Sequence, residues 1–353
     1  MTVPSTMPPT MKAAVLVEQR QPLALAEIRM PERLEVGQVL VRIHYSGICG
    51  SQLGEIDGVK GPDRFLPHLL GHEGSGTVVA IGAGVRHVRP DDKVVLHWRK
   101  GEGIEAAPAD YQWDGRKVNA GWVTTFNDWA IVSENRVTAI PADADLEVAA
   151  LLGCAVTTGF GVVTNNARVT IGESVVVFGA GGVGLNIVQA AAMSSAYPVI
   201  AVDLFDNRLD LARRMGATHV VNARTEDAPA RLAEILGAAG PDVFIDNTGN
   251  PEIIQLGYRI TKPQGRVVLV GVPKKGANID IYSLPLHFGK VLTGSHGGEA
   301  IPQQDIPRYE ALFRHGRLLL RELITHRFPL AEINTAIAAM RDGSAAGRCL
   351  IQM

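Results

Sequence analysis

Cysteine is scarce in this chain of 353 residues, which has three: Cys49, Cys154 and Cys349. Three is an odd number and too few for a disulfide framework, and it also excludes a structural zinc site built from four cysteines. The scarcity favours a reducing compartment, so we expect a cytoplasmic protein. Enough cysteine is left to contribute to one mixed cysteine–histidine metal site.

An excess of charge of one sign is also lacking, because 34 lysines and arginines face 36 aspartates and glutamates. The balance argues against a nucleic-acid or membrane partner. Residues 174–193 form the most apolar stretch, but four glycines, Asn186 and Gln189 argue against a membrane span. Residues 1–10 contain three prolines and no charged side chain, and we interpret them as a disordered leader rather than a signal peptide.

The length of the chain agrees with two domains, and the sequence has two regions with different residue patterns. Residues 11–155 contain short β-rich runs punctuated by glycine and proline, which predicts an antiparallel barrel or sandwich. In residues 172–272, apolar strand-like runs alternate with helical stretches, which is typical of a parallel, doubly wound sheet. The expected fold class is therefore α/β, and residues 347–353 are expected to form a last strand.

The alternation in the second region is regular enough to place its elements. We expect strands at residues 174–178, 199–202, 219–221, 243–245 and 265–271, and helices at residues 182–194, 206–215 and 228–236 and after Pro251. Asp206 is expected to N-cap the second of these helices, which stops at Gly216.

The first strand of this region leads into Gly179-Ala180-Gly181-Gly182-Val183-Gly184, a GxGxxG motif that opens a helix. Gly179 permits a tight turn, Gly181 allows close approach of a pyrophosphate, and Gly184 lets the helix pack on the sheet. The N–H groups at the start of the helix, near Gly182, are available to phosphate. The alternative is a glycine-rich turn without a ligand, because such turns are common.

An acidic residue at the end of the next strand favours dinucleotide binding. Asp203 follows Gly184 by close to 20 residues, where a carboxylate accepts hydrogen bonds from the adenosine ribose. The same carboxylate repels a 2′-phosphate, so we expect NAD rather than NADP. Arg208 either contacts this ribose or is an exposed helix residue, and the sequence leaves both interpretations open.

Cys49, His72 and Cys154 are distant in sequence but together form a metal-ligand set. Each alone has an ordinary interpretation, since a lone cysteine is usually a small buried hydrophobe and a lone histidine a polar turn residue. Two thiols and one imidazole suit Zn²⁺ with an open fourth position, which is typical of a catalytic zinc. Such a zinc binds an alcohol oxygen as a Lewis acid and lowers its pKa.

The motifs GICGSQ, GHEGSG, LLGCAVTTGFG and VFGAGGVG, in this order, resemble those of the zinc-dependent medium-chain alcohol dehydrogenases. The resemblance runs from Met11 to the terminal GRCLIQM, and the tail LLLRELITHRFPLAEINTA is most similar to class III, glutathione-linked enzymes and their bacterial relatives. It implies a GroES-like catalytic domain in residues 1–155, completed by residues 297–353, and a Rossmann NAD-binding domain in residues 156–296. A homodimer or homotetramer is implied as well.

The resemblance implies a role for each matching position. Cys49, His72 and Cys154 match the ligands of the catalytic zinc. Glu73 matches a carboxylate near the metal, and Ser51 matches the hydroxyl that takes the alcohol proton. The nicotinamide end of NAD would be held by a further set: Thr158, Val183, Val270, Val272 and Ser295. Thr158 and Val183 have the alternative role of packing the core between the domains.

The segment His97–Trp129 departs from the family pattern because it lacks the four cysteines of a structural zinc. One catalytic zinc and no structural zinc are therefore expected per chain. The segment holds all four tryptophans, of which Trp98 matches an aromatic wall of the substrate pocket. The others are expected to pack the lobe: Trp113, Trp122 and Trp129. Its basic residues either meet an anionic substrate or are solvated: Arg99, Lys100, Arg116 and Lys117.

Two further departures lie after the first zinc ligand. Gln52 stands where the family has an aspartate that supports the ligand histidine and pairs with a basic residue near the C-terminus. Ile351 matches that basic position, so we expect both halves of the pair to be absent, with Gln52 accepting the N–H of the His72 ring. Gly54 stands where some members have a relay histidine, so we expect the proton to leave Ser51 through the nicotinamide ribose.

The sequence therefore predicts an oxidoreductase that uses zinc and NAD to transfer hydride between an alcohol and the cofactor. Two other functions are alternatives. A zinc-free quinone or enoyl reductase has the same fold but lacks the Cys/His ligand set. A redox sensor would bind the dinucleotide without turnover.

Overall fold

The computed structural model describes residues 7–353. Residues 1–6 of the expected leader lie outside the described residues, and Thr10, its last residue, already belongs to the first strand. The chain divides into two compact units: Met1–Cys154 with Ile301–Met353, and Ala155–Ala300. The first unit is thus assembled from both ends of the chain, and the second from its middle.

The strands and helices are numbered in chain order. The strands are β1 Thr10–Leu16, β2 Ala24–Arg29, β3 Gln38–Gly47, β4 His68–Leu69, β5 Glu73–Ile81, β6 Lys93–His97, β7 Tyr111–Trp113, β8 Arg116–Val118, β9 Trp129–Ser133, β10 Val137–Ala139, β11 Val175–Phe178, β12 Val199–Asp203, β13 His219–Asn222, β14 Val243–Asp246, β15 Arg266–Leu269, β16 Val291–Gly294, β17 Ile324–Pro329 and β18 Arg348–Gln352. The helices are α1 Gly50–Ile56, α2 Leu146–Ala149, α3 Ala155–Gly161, α4 Gly182–Met193, α5 Asp206–Arg214, α6 Ala228–Leu236, α7 Pro251–Ile260, α8 Pro302–Arg314 and α9 Ile333–Asp342.

Two sheets form the first unit. One has the strand order β4-β1-β2-β7-β8, and the other has the order β10-β6-β5-β3-β18-β17, with β9 also paired to β3. Pairing in both sheets is antiparallel apart from β17 with β18. These are the short, β-rich runs that the sequence predicts, and the fold is that of a GroES-like domain.

The C-terminal strand is central to the first unit. β18 pairs with β3, with Leu350 opposite Gly47 and Ile351 opposite Ser46. Cys349 is fully buried in the adjoining core. The pairing carries the end of the chain to the strand that leads into Cys49, so the last seven residues help to form the site described below.

The second unit is a parallel, doubly wound sheet with the strand order β13-β12-β11-β14-β15-β16. Its central strands are continuous apolar runs, and all four residues of β11 are buried, which is what a sheet covered on both faces requires. The predicted Rossmann fold is confirmed. One detail of the prediction is wrong: Asp206 is the first residue of α5, and the N-cap is Phe205.

A different role explains the position of Asp206. Its carboxylate accepts a hydrogen bond from Nδ2 of Asn222 at 2.7 Å, which joins the start of α5 to the end of β13. The strand before α5 ends in Asp203, whose own Oδ1 accepts the N–H groups of Leu204 and Phe205. The residues before the helix are therefore fixed by Asp203, and capping by Asp206 is not needed.

Within residues 7–353, no single helix is long and apolar enough to cross a membrane. One bent pair of helices, residues 146–153 and 155–167, reaches the required length and composition only when the two are taken together.

Candidate active site

The predicted metal ligands come together in the first unit. Cys49 lies between β3 and α1, His72 lies between β4 and β5, and Cys154 follows the short turn after α2. Their ligand atoms all lie within 4.8 Å of one another. Both cysteines are buried, with 8% and 5% of their surface exposed. Three separate loops therefore supply one compact donor set of two sulfurs and one imidazole.

The thiols of Cys49 and Cys154 are joined by a hydrogen bond. A hydrogen bond from the Cys154 thiol, aided by the charge of Arg348, holds the pKa of Cys49 well below its usual range despite burial. The same hydrogen bond, together with burial, raises the pKa of Cys154. One sulfur is therefore held as a thiolate, which is the form of cysteine that binds metal.

The His72 ring is oriented by Gln52. Nε2 of the Gln52 amide lies 2.7 Å from Nδ1 of His72, and its Oε1 accepts the N–H of Cys49 at 3.0 Å. The contact expected between Gln52 and His72 is present, although the amide nitrogen rather than the oxygen faces the ring. The other ring nitrogen, Nε2, is buried without a hydrogen-bond partner in the described part of the chain. A buried, unpartnered nitrogen beside two thiols fits a zinc ligand.

A buried ion pair adjoins the ligands. Oε1 of Glu73, which is fully buried, lies 3.5 Å from Nε of Arg348, and Nη1 of Arg348 donates to the carbonyl oxygen of Ile48 at 2.8 Å. The expectation that a basic partner is absent is therefore wrong, because Arg348 supplies it. The error is one of register: Ile351 is three residues further along β18 and so points to the opposite face of the strand, into the core.

The charges of this cluster support one another. Burial alone would lower the pKa of Arg348, but Glu73, Cys49 and Cys154 raise it, so the guanidinium stays protonated. The backbone is fitted closely to the buried carboxylate, because a Cβ at Gly47 would lie 2.2 Å from Oε1 of Glu73. Glu73 is thus a fixed part of the metal surroundings, as a carboxylate held beside the donor set.

Ser51 and Trp98 lie close to the ligands in the chain. Ser51 is half-buried in the first turn of α1, two residues after Cys49. Trp98 directly follows β6, and its ring centroid lies 6.4 Å from that of His72, with the planes at 61°. The Arg99 guanidinium lies over the indole at 5.8 Å. An aromatic surface beside the ligand histidine supports the predicted pocket wall, while the role of Ser51 stays a prediction.

A carboxylate fastens the segment that lacks the zinc cysteines. Glu134 is 1% exposed and directly follows β9. Its Oε1 accepts the backbone N–H groups of Arg86 and His87 at 2.6 and 3.0 Å, and its Oε2 accepts that of Ile104 at 2.7 Å. Glu134 therefore joins three loops. Glu134 was not predicted from the sequence, although an acidic residue directly after a buried strand is a signal for such a role.

The other tryptophans divide into two groups. Trp113 and Trp129 pack against the core cluster that contains Tyr111, as expected. Trp122 is 47% exposed, so the expectation that it packs the lobe is wrong. Arg136 lies over its ring at 5.1 Å, and a cation of this kind covers one face of the indole while the rest stays in solvent.

Two of the basic side chains in this segment are paired within it. Nζ of Lys100 lies 3.4 Å from Glu105, and Nζ of Lys117 lies 2.6 Å from Asp110. All four side chains are at least one-third exposed. The pairs favour the interpretation of these lysines as solvated surface residues rather than as ligands of an anionic substrate.

The glycine motif lies in the second unit between β11 and α4. Gly179 has a φ of +96°, which only glycine adopts without strain. A Cβ at Gly184 would lie 1.9 Å from the carbonyl oxygen of Gly179, whereas no atom lies within 4 Å of a Cβ built on Gly181. The turn is thus tight at its two ends and open at its centre, beside the start of α4 at Gly182, which fits a pyrophosphate.

Asp203 ends β12 and touches the glycine turn. Its Oδ2 accepts the N–H of Ala180 at 2.7 Å, and Arg208 lies 3.7 Å from its Oδ1. The Arg208 side chain is 20% exposed, so it is not the free surface residue of the second interpretation. Two neighbours were not predicted from the sequence, Phe205 and Arg224: the guanidinium groups of Arg208 and Arg224 lie over the Phe205 ring, at 4.8 and 4.7 Å.

The residues expected at the nicotinamide end lie on several elements of the second unit. Thr158 is on α3, with a buried Oγ1 that has no hydrogen-bond partner among residues 7–353. Val183 is in the first turn of α4, Val270 and Val272 follow β15, and Ser295 follows β16. The last three therefore lie at the same carboxyl edge of the parallel sheet as the glycine turn, where such sheets bind ligands. Their individual roles stay predictions.

Comparison with known proteins agrees with this geometry. The family model of the alcohol dehydrogenase GroES-like domain matches residues 35–142, and that of the zinc-binding dehydrogenases matches residues 182–314. The chain is 31% identical over 366 residues to alcohol dehydrogenase class-3 of Cereibacter sphaeroides, covering 94% of this chain and 97% of that protein. It is 29% identical over 365 residues to S-(hydroxymethyl)glutathione dehydrogenase of Paracoccus denitrificans, with the same coverage.

Solved structures give the same result. An alcohol dehydrogenase zinc-binding domain protein from Burkholderia ambifaria superposes with a TM-score of 0.89 at 29% identity, and benzyl alcohol dehydrogenase from Acinetobacter calcoaceticus with 0.87 at 29%. Each covers 98% of this chain and is itself 99% covered. Together with the ligand set and the glycine turn, these matches show that the chain belongs to the zinc-dependent medium-chain alcohol dehydrogenases, which use zinc and NAD.

Proposed function

We propose that this alcohol dehydrogenase oxidises an alcohol to an aldehyde or ketone with Cys49, His72 and Cys154 as the ligands of a single zinc. The observation that carries the proposal is the cluster of ligand atoms, which all lie within 4.8 Å of one another. It contains two thiols and the buried Nε2 of His72, which has no hydrogen-bond partner among residues 7–353. When bound, zinc supplies a Lewis acid for the alcohol oxygen and NAD accepts the hydride. The residues of the chain bind, orient and deprotonate the alcohol.

Ser51 is the proposed proton acceptor. It lies in the first turn of α1, half-buried and two residues from the first ligand. The alcohol O–H proton passes to Ser51 Oγ as the Ser51 hydroxyl releases its own proton towards solvent, and a bound NAD would supply the acceptor for the hydride of the C–H bond. Gly54 lies in the next turn of α1, so this position offers no histidine side chain to relay the proton. Ser51→Ala should lower kcat about 10²- to 10⁴-fold with zinc content unchanged, whereas Ser51→Thr keeps the hydroxyl and most of the activity.

The substrate we propose is an apolar or aromatic alcohol rather than a glutathione adduct. Trp98 presents its indole beside His72, and Lys100 and Lys117 are already paired with carboxylates. Benzyl alcohol should therefore give a higher kcat/KM than S-(hydroxymethyl)glutathione, measured by NADH absorbance. The opposite order would contradict the proposed substrate class but not alcohol oxidation.

Metal analysis tests the function against its alternatives. Cys49→Ala should remove both bound zinc and alcohol-dependent NADH formation, while Cys349→Ala, the same change in the core, should retain both. A zinc-free quinone or enoyl reductase would keep its activity in Cys49→Ala. A sensor without turnover would form no NADH from any alcohol in the wild-type chain. Either result would overturn the proposal.

We also propose a homodimer or homotetramer. β16 is the edge strand of the second unit, and five large apolar side chains near it are 39–71% exposed: Tyr282, Leu284, Leu286, Phe288 and Val291. Exposed apolar clusters of this kind mark association surfaces. Phe288→Asp should lower the mass measured by light scattering to that of a monomer, while Phe65→Asp, at a similarly exposed position, should leave it unchanged.

A cytoplasmic location belongs to the same proposal. Cys49 and Cys154 act as ligands only as thiolates, and a reducing compartment keeps buried, adjacent thiols from forming a disulfide.

A further inference from the structure

Gln52 bridges two groups of the zinc site. Gln52 is buried, with 1% of its surface exposed. Oε1 accepts the N–H of Cys49 at 3.0 Å, and Nε2 lies 2.7 Å from Nδ1 of His72. An amide has an acceptor at one end and a donor at the other, so the ring nitrogen Nδ1 is the acceptor in this arrangement.

This arrangement is mismatched to a metal-ligating histidine. A neutral imidazole that binds a cation through Nε2 carries its hydrogen on Nδ1, and that N–H needs an acceptor. The amide of Gln52 offers its NH₂ there instead. If the amide turns over, Oε1 accepts the Nδ1–H of His72, but the NH₂ then faces the N–H of Cys49. In both orientations one of the two donors lacks an acceptor, whereas a carboxylate of the same length accepts from both.

The charge of the site acts in the same direction. The donor set contains the sulfurs of Cys49 and Cys154. The Glu73 carboxylate and the Arg348 guanidinium lie beside it. With both sulfurs as thiolates, three negative charges face one positive charge. A carboxylate in place of Gln52 would add a fourth negative charge close to the ligand histidine and so strengthen the attraction for a divalent cation.

We infer that Gln52 is a positioning residue that weakens zinc binding and leaves the bound cation less neutralised by its surroundings than a carboxylate would. The inference deepens the proposed function and rests on its ligand assignment. Its distinctive consequence is a gain: Gln52→Glu should bind zinc more tightly than the wild type, whereas a residue with a purely structural role would lose affinity when substituted.

The experiment measures zinc affinity on the full chain. Metal-free protein is titrated with Zn²⁺ in competition with a chromogenic chelator, for the wild type, Gln52→Glu, Gln52→Asp and Gln52→Leu. Side chains that hydrogen-bond the ligands of a metal change its affinity about 10- to 100-fold. We expect the two acidic variants to gain affinity by such a factor, and Gln52→Leu, which has no partner for the ring, to lose about tenfold. Gln112→Glu is the control, since Gln112 is exposed on β7.

Cobalt substitution verifies that all variants use the same ligands, because thiolate coordination gives an intense charge-transfer absorption. Equal or weaker zinc binding by both acidic variants, with that absorption retained, would overturn the inference. An equal gain in Gln112→Glu would do the same, since the effect would then be one of net charge alone. If the affinities follow the expected order but no alcohol yields NADH, the proposed function fails and the role of Gln52 stands.

Discussion

The conversion of Glu134 to glutamine tests how the cysteine-free segment is held in place. Burial alone would raise the pKa of Glu134, but N–H donors of Arg86, Ile104 and His87 outweigh it and lower the pKa to about 2 from 4.5. The shift of about 2.5 units, at about 1.4 kcal/mol each, corresponds to about 3 kcal/mol of stability. Glu134→Gln should therefore destabilise the first unit by about 3 kcal/mol at pH 7.

The sign of the pH dependence follows from the lowered pKa. A carboxyl whose folded-state pKa is depressed contributes its full stabilisation above the unfolded-state pKa and loses it as the pH falls toward the folded-state value. The difference in unfolding free energy between wild type and Glu134→Gln should therefore shrink from about 3 kcal/mol at pH 7 to about half that near pH 3. The window lies between about pH 5 and pH 2.

Denaturant unfolding followed by tryptophan fluorescence is the appropriate assay, because Trp98, Trp113, Trp122 and Trp129 all lie in the first unit. Glu32→Gln is the control, since the Glu32 side chain is 89% exposed and the same chemical change there should cost less than about 0.5 kcal/mol. A loss no larger than that of the control, or one that stays constant from pH 7 to pH 3, would refute the role assigned to Glu134.

Three further predictions concern the active site. Trp98→Ala should lower kcat/KM for benzyl alcohol at least tenfold, and unchanged steady-state kinetics for every alcohol would remove Trp98 from the pocket. Arg348→Met should destabilise the first unit by about 3–5 kcal/mol, because it removes the buried cation that pairs with Glu73. The double variant with Glu73→Gln should recover part of the loss in the same unfolding assay. If the losses of the two single variants simply add up in the double variant, the pairing is contradicted. Atomic absorption should find one zinc per chain, and chelation should abolish alcohol oxidation while the first unit keeps a cooperative unfolding transition by tryptophan fluorescence. Two zinc ions with a chelator-resistant pool would contradict the absence of a structural zinc.

The second unit was the more predictable part of the fold. Its central strands β11, β12 and β14 are fully buried runs that end at a glycine or an acidic residue, so local pattern alone places β11, β12 and α4 to within one or two residues. The glycine turn and Asp203 could be recognised for the same reason, since their function depends on short-range geometry. Capping was less predictable: Asp206 looks like an N-cap, but Asp203 already organises the turn.

The surroundings of the metal could be predicted only in part, because they depend on strand register. Cys49, His72 and Cys154 were found from residue type and motif. The basic position of β18, however, was assigned to Ile351 instead of Arg348. A position three residues away reverses the face of a strand, and nothing in GRCLIQM fixes which face meets Glu73. The pairing of β18 with β3 decides it, and that pairing joins residues about 300 apart in the chain.

The sequence shows two departures from the family pattern, the missing zinc cysteines and Gln52. In the structure, each involves the hydrogen bonds of one side chain. The N–H groups of Arg86 and His87, before β6, and of Ile104, after it, converge on the carboxylate of Glu134, so an ionised side chain fastens the segment after β6. At the catalytic site, Gln52 stands where a carboxylate would hold the ligand histidine more firmly. We therefore expect loss of zinc to empty the catalytic centre without releasing the loops that Glu134 joins.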